Sequence, residues 1–100
     1  MKRELTAERL REVLQYDPET GVFTRLVRTG RRGKVGDGAG SANTLGYILI
    51  RVDGVLYNAH RLAFLWMTGA WPTHQVDHIN GVRSDNRFAN LRPATSAQNQ

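Results

Sequence analysis

One hundred residues carry 14 Lys+Arg against 9 Asp+Glu, a formal net charge of +5, and no cysteine. A chain of that length makes one domain with a modest core, and its charge favours a polyanionic partner. A disulfide framework and a cysteine-based zinc knuckle are excluded. No apolar run approaches a membrane span, and the start MKRELTAERL has no signal-peptide core, so no membrane partner and an intracellular location are expected. Twelve of the basic residues are arginine, whose planar fork grips phosphate in a way lysine cannot.

In chain order, residues 4–15 read as a helix, with Thr6 as N-cap, Glu8 in the first turn and an apolar stripe of Leu10, Val13 and Leu14. Asp17-Pro18-Glu19-Thr20-Gly21 is a turn, and with Tyr16 and Val22-Phe23-Thr24 it predicts a small hairpin. Residues 25–40 change character. Arg25, Arg28, Arg31, Arg32 and Lys34 fall in an acid-free run loosened by glycines, which predicts a flexible loop lying along a nucleic-acid backbone.

Residues 46–58 are the clearest strand pair. Asp53-Gly54 is a favoured two-residue hairpin turn, which sets Val52 opposite Val55 and Ile50 opposite Tyr57. Ile48, Ile50, Val52, Val55 and Tyr57 then share a buried face. Residues 59–68 form a helix with Asn58 as cap and Gly69 as stop. Ala59, Leu62, Leu65 and Trp66 share its inner face, widened by Phe64 and Met67. His60 and Arg61 lie in its first turn; His60 reads as a satisfied, half-buried histidine, and Arg61 as a phosphate contact.

The last quarter, VDHINGVRSDNRFANLRPATSAQNQ, reads as strand, long turn, strand and helix start. A strand that ends or bulges at Ile79-Asn80-Gly81 would let Asp77 and His78 face one cleft. Thr95 to Gln98 fits a capping box, which places Asn99 one turn into a helix. Breaking a phosphodiester requires a base for water and neutralised charge on the phosphoryl and leaving oxygens. Histidine suits the first need. A hard cation held by one anionic and one neutral oxygen, Asp77 and Asn99, suits the second, and Mg2+ (or Mn2+) commonly uses so few side chains. Asn86 reads as a turn former and His74 as a surface residue or a phosphate contact. Nothing in the spacing favours zinc held by His60, His74, Asp77 and His78.

With YDPETGVF, GYILIRVDGVLYNAHRLAFLWMTG, WP, VDHINGVRSDNRFANLR and AQN, the chain from about Leu14 to Gln100 resembles the HNH endonucleases of phage and homing type, built on a ββα-metal hairpin. The resemblance implies a small α+β domain over residues 1–100. Its parts would be an N-terminal helix and hairpin (1–24), a basic loop (25–40), a hairpin and core helix (41–75) and the ββα-metal unit (76–100). It implies metal-dependent cleavage of DNA, nicking by a single copy, with a bacterial host cytoplasm as the setting if the chain is phage-encoded. His78 would be the general base, Asp77 and Asn99 the metal ligands, and Asn90 the residue that ties the loop and orients the histidine. Backbone contacts would come from Arg31, Arg32, Lys34, Arg61, Arg83 and Arg87. A helix from Ser96 to Gln100 is barely one turn, so a longer chain, DNA or a second copy forming a homodimer is expected to complete it. The rival reading is a DNA-binding module with an incomplete site.

Overall fold

The computed structural model describes residues 4–28 and 34–94. They form an α+β domain of two helices and three small antiparallel sheets. Thr6 caps helix α1 (Ala7–Val13), its Oγ1 accepting from the Arg9 N–H at 3.1 Å. The helix stops short of the expected residue 15. Leu14 is already extended and opens β1 (Leu14–Asp17), which pairs with β2 (Val22–Arg25). Leu14 and Tyr16 alternate into the core, so cross-strand pairing outweighs the helical spacing of Leu10, Val13 and Leu14.

The basic segment is tied at both ends. Gly36 N–H donates to the Arg25 carbonyl and Arg25 N–H to that of Asp37, both at 2.8 Å. Gly38–Ala39 (β3) then adds to the first sheet, and Ser41–Ala42 (β4) to the second. Of the stretch 25–40 expected to be a flexible loop, Arg25 and residues 36–39 are held to the first sheet, because their backbone groups find partners on strand edges. Arg31 and Arg32 lie outside the described residues.

Strands β5 (Ile48–Val52) and β6 (Val55–Asn58) pair in the expected register, Val52 with Val55 and Ile50 with Tyr57. Asp53 and Gly54 both have positive φ, 50° and 82°, as the tight turn demands. Ile50 and Val52 are fully buried; Ile48, Val55 and Tyr57 are half-buried at the core's edge. Helix α2 runs over Ala59–Thr68 and ends at Gly69, as read. Its inner face is Ala59, Leu62, Ala63 and Leu65, while Met67 faces outward.

The core joins α1, α2 and the strands through Leu10, Tyr16, Phe23, Ile50, Leu62 and Leu65. Each large apolar side chain removed from water there contributes roughly 1.5–3 kcal/mol. Trp66 on α2 donates its indole N–H to the Leu14 carbonyl at 3.2 Å, and Trp71 donates to that of Leu5 at 2.9 Å. The third sheet is the pair β7 (Gln75–His78) and β8 (Leu91–Ala94), joined by a polar loop and a 3₁₀ turn over Phe88–Asn90. No helix among the described residues is long and apolar enough to cross a membrane.

Candidate active site

The β7–β8 connection organises the site. Asn90 ties it together: its Nδ2 donates to Asn80 Oδ1 and to the Asp85 carbonyl, each at 2.9 Å. Its Oδ1 accepts the Asn80 N–H at 3.0 Å, and its backbone carbonyl accepts the Ile79 N–H at 2.8 Å. One buried carboxamide therefore closes a long polar loop that has little apolar area of its own.

His78 stands at the end of β7, 6% exposed. Its Nε2 is 2.8 Å from Oδ1 of Asn86. The residue holding the imidazole is thus Asn86, whereas Asn90 spends its carboxamide on the loop. Asn86 is 2% exposed and is more than the turn former its neighbours suggested. Its backbone carbonyl accepts the Tyr16 hydroxyl at 2.5 Å, and Phe88 N–H donates to the Pro18 carbonyl at 2.9 Å. The β1–β2 turn clasps the loop through these two bonds. Burial, aided by the charges of Asp17 and Asp85, raises the Tyr16 hydroxyl's pKa well above the ordinary phenol value, so it stays a donor.

The strand does end at His78, but its pairing is regular, Asp77 with Arg92 and His78 with Leu91. It ends there without a bulge, and neighbouring side chains on a regular strand take opposite faces. His78 turns inward. Asp77 is half-exposed, with Oδ2 3.3 Å from the Arg92 guanidinium. Asn99 and the helix expected around it lie outside the described residues. Among the described residues no cluster of three or more His, Cys, Asp or Glu could hold a metal ion. A hard cation carried by one carboxylate, water and phosphate oxygens still suits half-exposed Asp77, once Arg92 gives way.

His60 is the second correction. It is 7% exposed, and its Nδ1 is buried with no hydrogen-bond partner among the described residues. Its ring meets His78 edge-on at 5.0 Å between centroids, with Tyr47 at 5.6 Å from His60. Sequence reasoning made it a satisfied histidine because helix phase alone does not reveal the neighbour from β7. A usable signal was its position three residues before buried Ala63. Burial, and then the charges of His78 and Arg61, push its pKa down to about 4.

The sign follows directly. An unfolded chain binds a proton at His60 near pH 6.5, whereas the folded chain does not until about pH 4. Stability contributed by neutral His60 is therefore full above pH 6.5 and is lost as pH falls toward 4. By pH 5 the loss is of order 1–2 kcal/mol after solvent screening, or about 5–10 °C in melting temperature. Thermal melts at pH 7 and pH 5 check this, and His60→Gln should flatten the difference. Asp53 and Asp85, held low by Arg9 and Arg87, weaken the fold only at more acidic pH.

The arginines divide. Arg61 is half-buried with its guanidinium 5.9 Å from the Trp71 ring, beside a cavity of about 320 Å³ lined by Tyr47, Asn58, His60 and Gln75. Arg83 is exposed, lies over the Tyr47 ring at 4.9 Å and donates to the Leu45 carbonyl. Arg87 is engaged with Asp85 through two bonds of 2.7 and 2.6 Å, so its charge is largely answered within the loop. Lys34 and His74 are exposed.

Residues 57–100 match the family model described as HNH endonuclease. A solved structure described as "DNA binding and cleavage by the HNH homing endonuclease I-HmuI" matches with a TM-score of 0.61 at 25% identity. From Tyr57 onward the chain is similar to the HNH endonucleases. That alignment covers 87% of this chain and 49% of the other, so this chain spans about half the length of that one. No curated protein matches. The family model begins at Tyr57, so it takes in α2, the β7–β8 loop and the histidine pair, whereas the clasping β1–β2 hairpin lies outside it.

Proposed function

We propose that this HNH domain is a metal-dependent DNA endonuclease that nicks one strand. The observation that carries the reading is the buried His78 ring, fixed by Asn86 beside half-exposed Asp77. With the Asn86 oxygen facing Nε2, that nitrogen carries the proton and Nδ1 keeps its lone pair, the form a general base needs. Asp77, with Asn99 by family resemblance, would hold Mg2+ or Mn2+. The bound cation would neutralise charge on the scissile phosphate and its leaving oxygen.

β7 ends at His78, and a phosphate lying across that strand end would meet Asp77 and His78 from its two sides. Arg61, Arg83 and Lys34, with Arg31 and Arg32 on the basic loop, would hold neighbouring phosphates. Arg87 serves the loop first.

Supercoiled plasmid incubated with Mg2+ tests the proposal. Wild-type protein should convert it to the nicked circle, chelator should stop the reaction, and His78→Ala should not nick. Plasmid that is bound but left intact by wild-type protein would assign the chain to a non-catalytic DNA-binding module.

Asn86 is a positioning residue in this scheme. Asn86→Ala is expected to lower the nicking rate at saturating DNA by about 10–100-fold, the usual cost of losing a group that orients a catalytic one. A simple packing defect would leave the tautomer alone. Imidazole nitrogen NMR should therefore show Nε2–H at His78 in wild type and a tautomer mixture in the variant; an unchanged spectrum would remove the role.

A further inference from the structure

We propose that an arginine-lined cleft at the turn end of the β5–β6 hairpin is a second DNA-backbone site, holding a sugar–phosphate segment away from His78. The inference rests on DNA being the partner. The cavity has a volume of about 140 Å³ and lies between α1, the end of β2 and the Asp53-Gly54 turn. Its apolar lining includes Val13, Val27 and Val52; Arg25, Arg28 and Arg51 supply the charge.

The charge balance singles this cleft out. Its one acid, Asp53, is taken by Arg9 through two bonds of 3.0 Å each. Arg9 is answered further by Glu12 at 3.5 Å. Arg25, Arg28 and Arg51 form no salt bridge among the described residues. Arg51 gives one N–H to the Gly54 carbonyl at 3.0 Å, which steadies its stem and leaves most of its donors open. Three unanswered guanidinium groups around valine side chains match an amphipathic anion. The phosphate meets the forks, and the deoxyribose covers the apolar lining.

The register sets the spacing from the active site. Val52–Val55 closes the hairpin at the cleft, and Leu49–Asn58 lies at the other end, where α2 and His60 begin. Three residues of strand separate the ends by about 10 Å. On one strand of a duplex that is about three nucleotide steps of ~3.4 Å. A single duplex can therefore reach both places, and the cleft would anchor DNA without touching the reacting phosphate.

Binding is measured in chelator, so that nothing is cut, by fluorescence anisotropy of a duplex two turns long over a range of salt. Each lost phosphate contact removes about 0.9 from the slope of log affinity against log salt. Arg28→Gln/Arg51→Gln should lower the slope by about 1–2 and weaken binding at low salt about tenfold. Both residues are exposed, so the melting temperature should hold. If the double variant melts early, Arg28→Gln alone repeats the test with a one-contact change in slope. Wild-type affinity and slope in a folded variant would overturn the proposal. So would thymidine monophosphate binding to wild type but not to the variant while duplex binding stays equal, which assigns the cleft to a free nucleotide. The nicking assay is separate: a slope change without nicking retires the nuclease reading alone, and nicking without a slope change retires the cleft alone.

Discussion

Plasmid nicking by the His78→Ala protein is expected to fall by about 10²–10⁴-fold, the usual contribution of a positioned general base. The expectation rests on the ring's surroundings. Asn86 holds Nε2 at 2.8 Å, and His60 packs edge-on at 5.0 Å, so the imidazole is fixed on two sides. His60 is the nearest alternative base, but its Nδ1 is sealed from solvent. Truncation also leaves the Asn86 oxygen without its partner, so some stability will be lost, of order 1–3 kcal/mol. Two readouts separate chemistry from stability. The melting temperature reports the packing loss, and imidazole added to the reaction should restore part of the nicking by entering the space left by the side chain. A variant that still nicks within an order of magnitude of wild type would place the base elsewhere.

Gly21→Ala should produce the largest structural effect. Gly21 has φ of 76°, a region that costs an alanine roughly 1–2 kcal/mol. A Cβ there would also lie 2.3 Å from the Asn86 carbonyl carbon and 2.4 Å from the Arg87 nitrogen. Both atoms are backbone and cannot rotate aside. The β1–β2 turn must therefore withdraw from the loop, which stretches the Tyr16–Asn86 and Phe88–Pro18 hydrogen bonds together. We expect at least about 3 kcal/mol of lost stability, or roughly 12–24 °C in melting temperature. Nicking should fall even below the melting transition, because Asn86 carries the His78 contact on the same residue whose backbone is displaced. Asp17→Asn, on the same turn but outside the close approach, is the comparison. If Gly21→Ala melts within a few degrees of wild type, the hairpin does not clasp the loop as described.

The two experiments probe features that differ in how visible they were beforehand. His78 is legible in the sequence from its setting among Asp, Asn and Arg in a polar loop. The clasp is not. Tyr16 looked like an ordinary strand residue and Gly21 like an ordinary turn glycine, because each does its local work whether or not a loop lies against it. Asn86 looked like a turn former for the same reason: a polar loop full of Asn and Asp gives no local mark of which carboxamide is buried. Even Arg87, an apparent phosphate contact, is answered by Asp85 two residues away.

What the chain alone determined was therefore what short-range physics decides. The Asp53-Gly54 turn imposed the β5–β6 register, Gly69 ended α2, and Thr6 started α1, each through dihedral preferences and hydrogen bonds reaching only a few residues; Asn58 stands at the start of α2 but its side chain makes no capping bond. Even there, pairing with β2 took Leu14 away from the helix that its spacing suggested. The tertiary structure alone decided who meets whom: Tyr16 with Asn86 across 70 positions, His60 with His78, and Arg9 with Asp53, which leaves the three arginines of the cleft without a salt bridge among the described residues. Those meetings depend on how three small sheets pack around two helices. That arrangement comes from the summed burial of many side chains and leaves no mark in any single window of sequence.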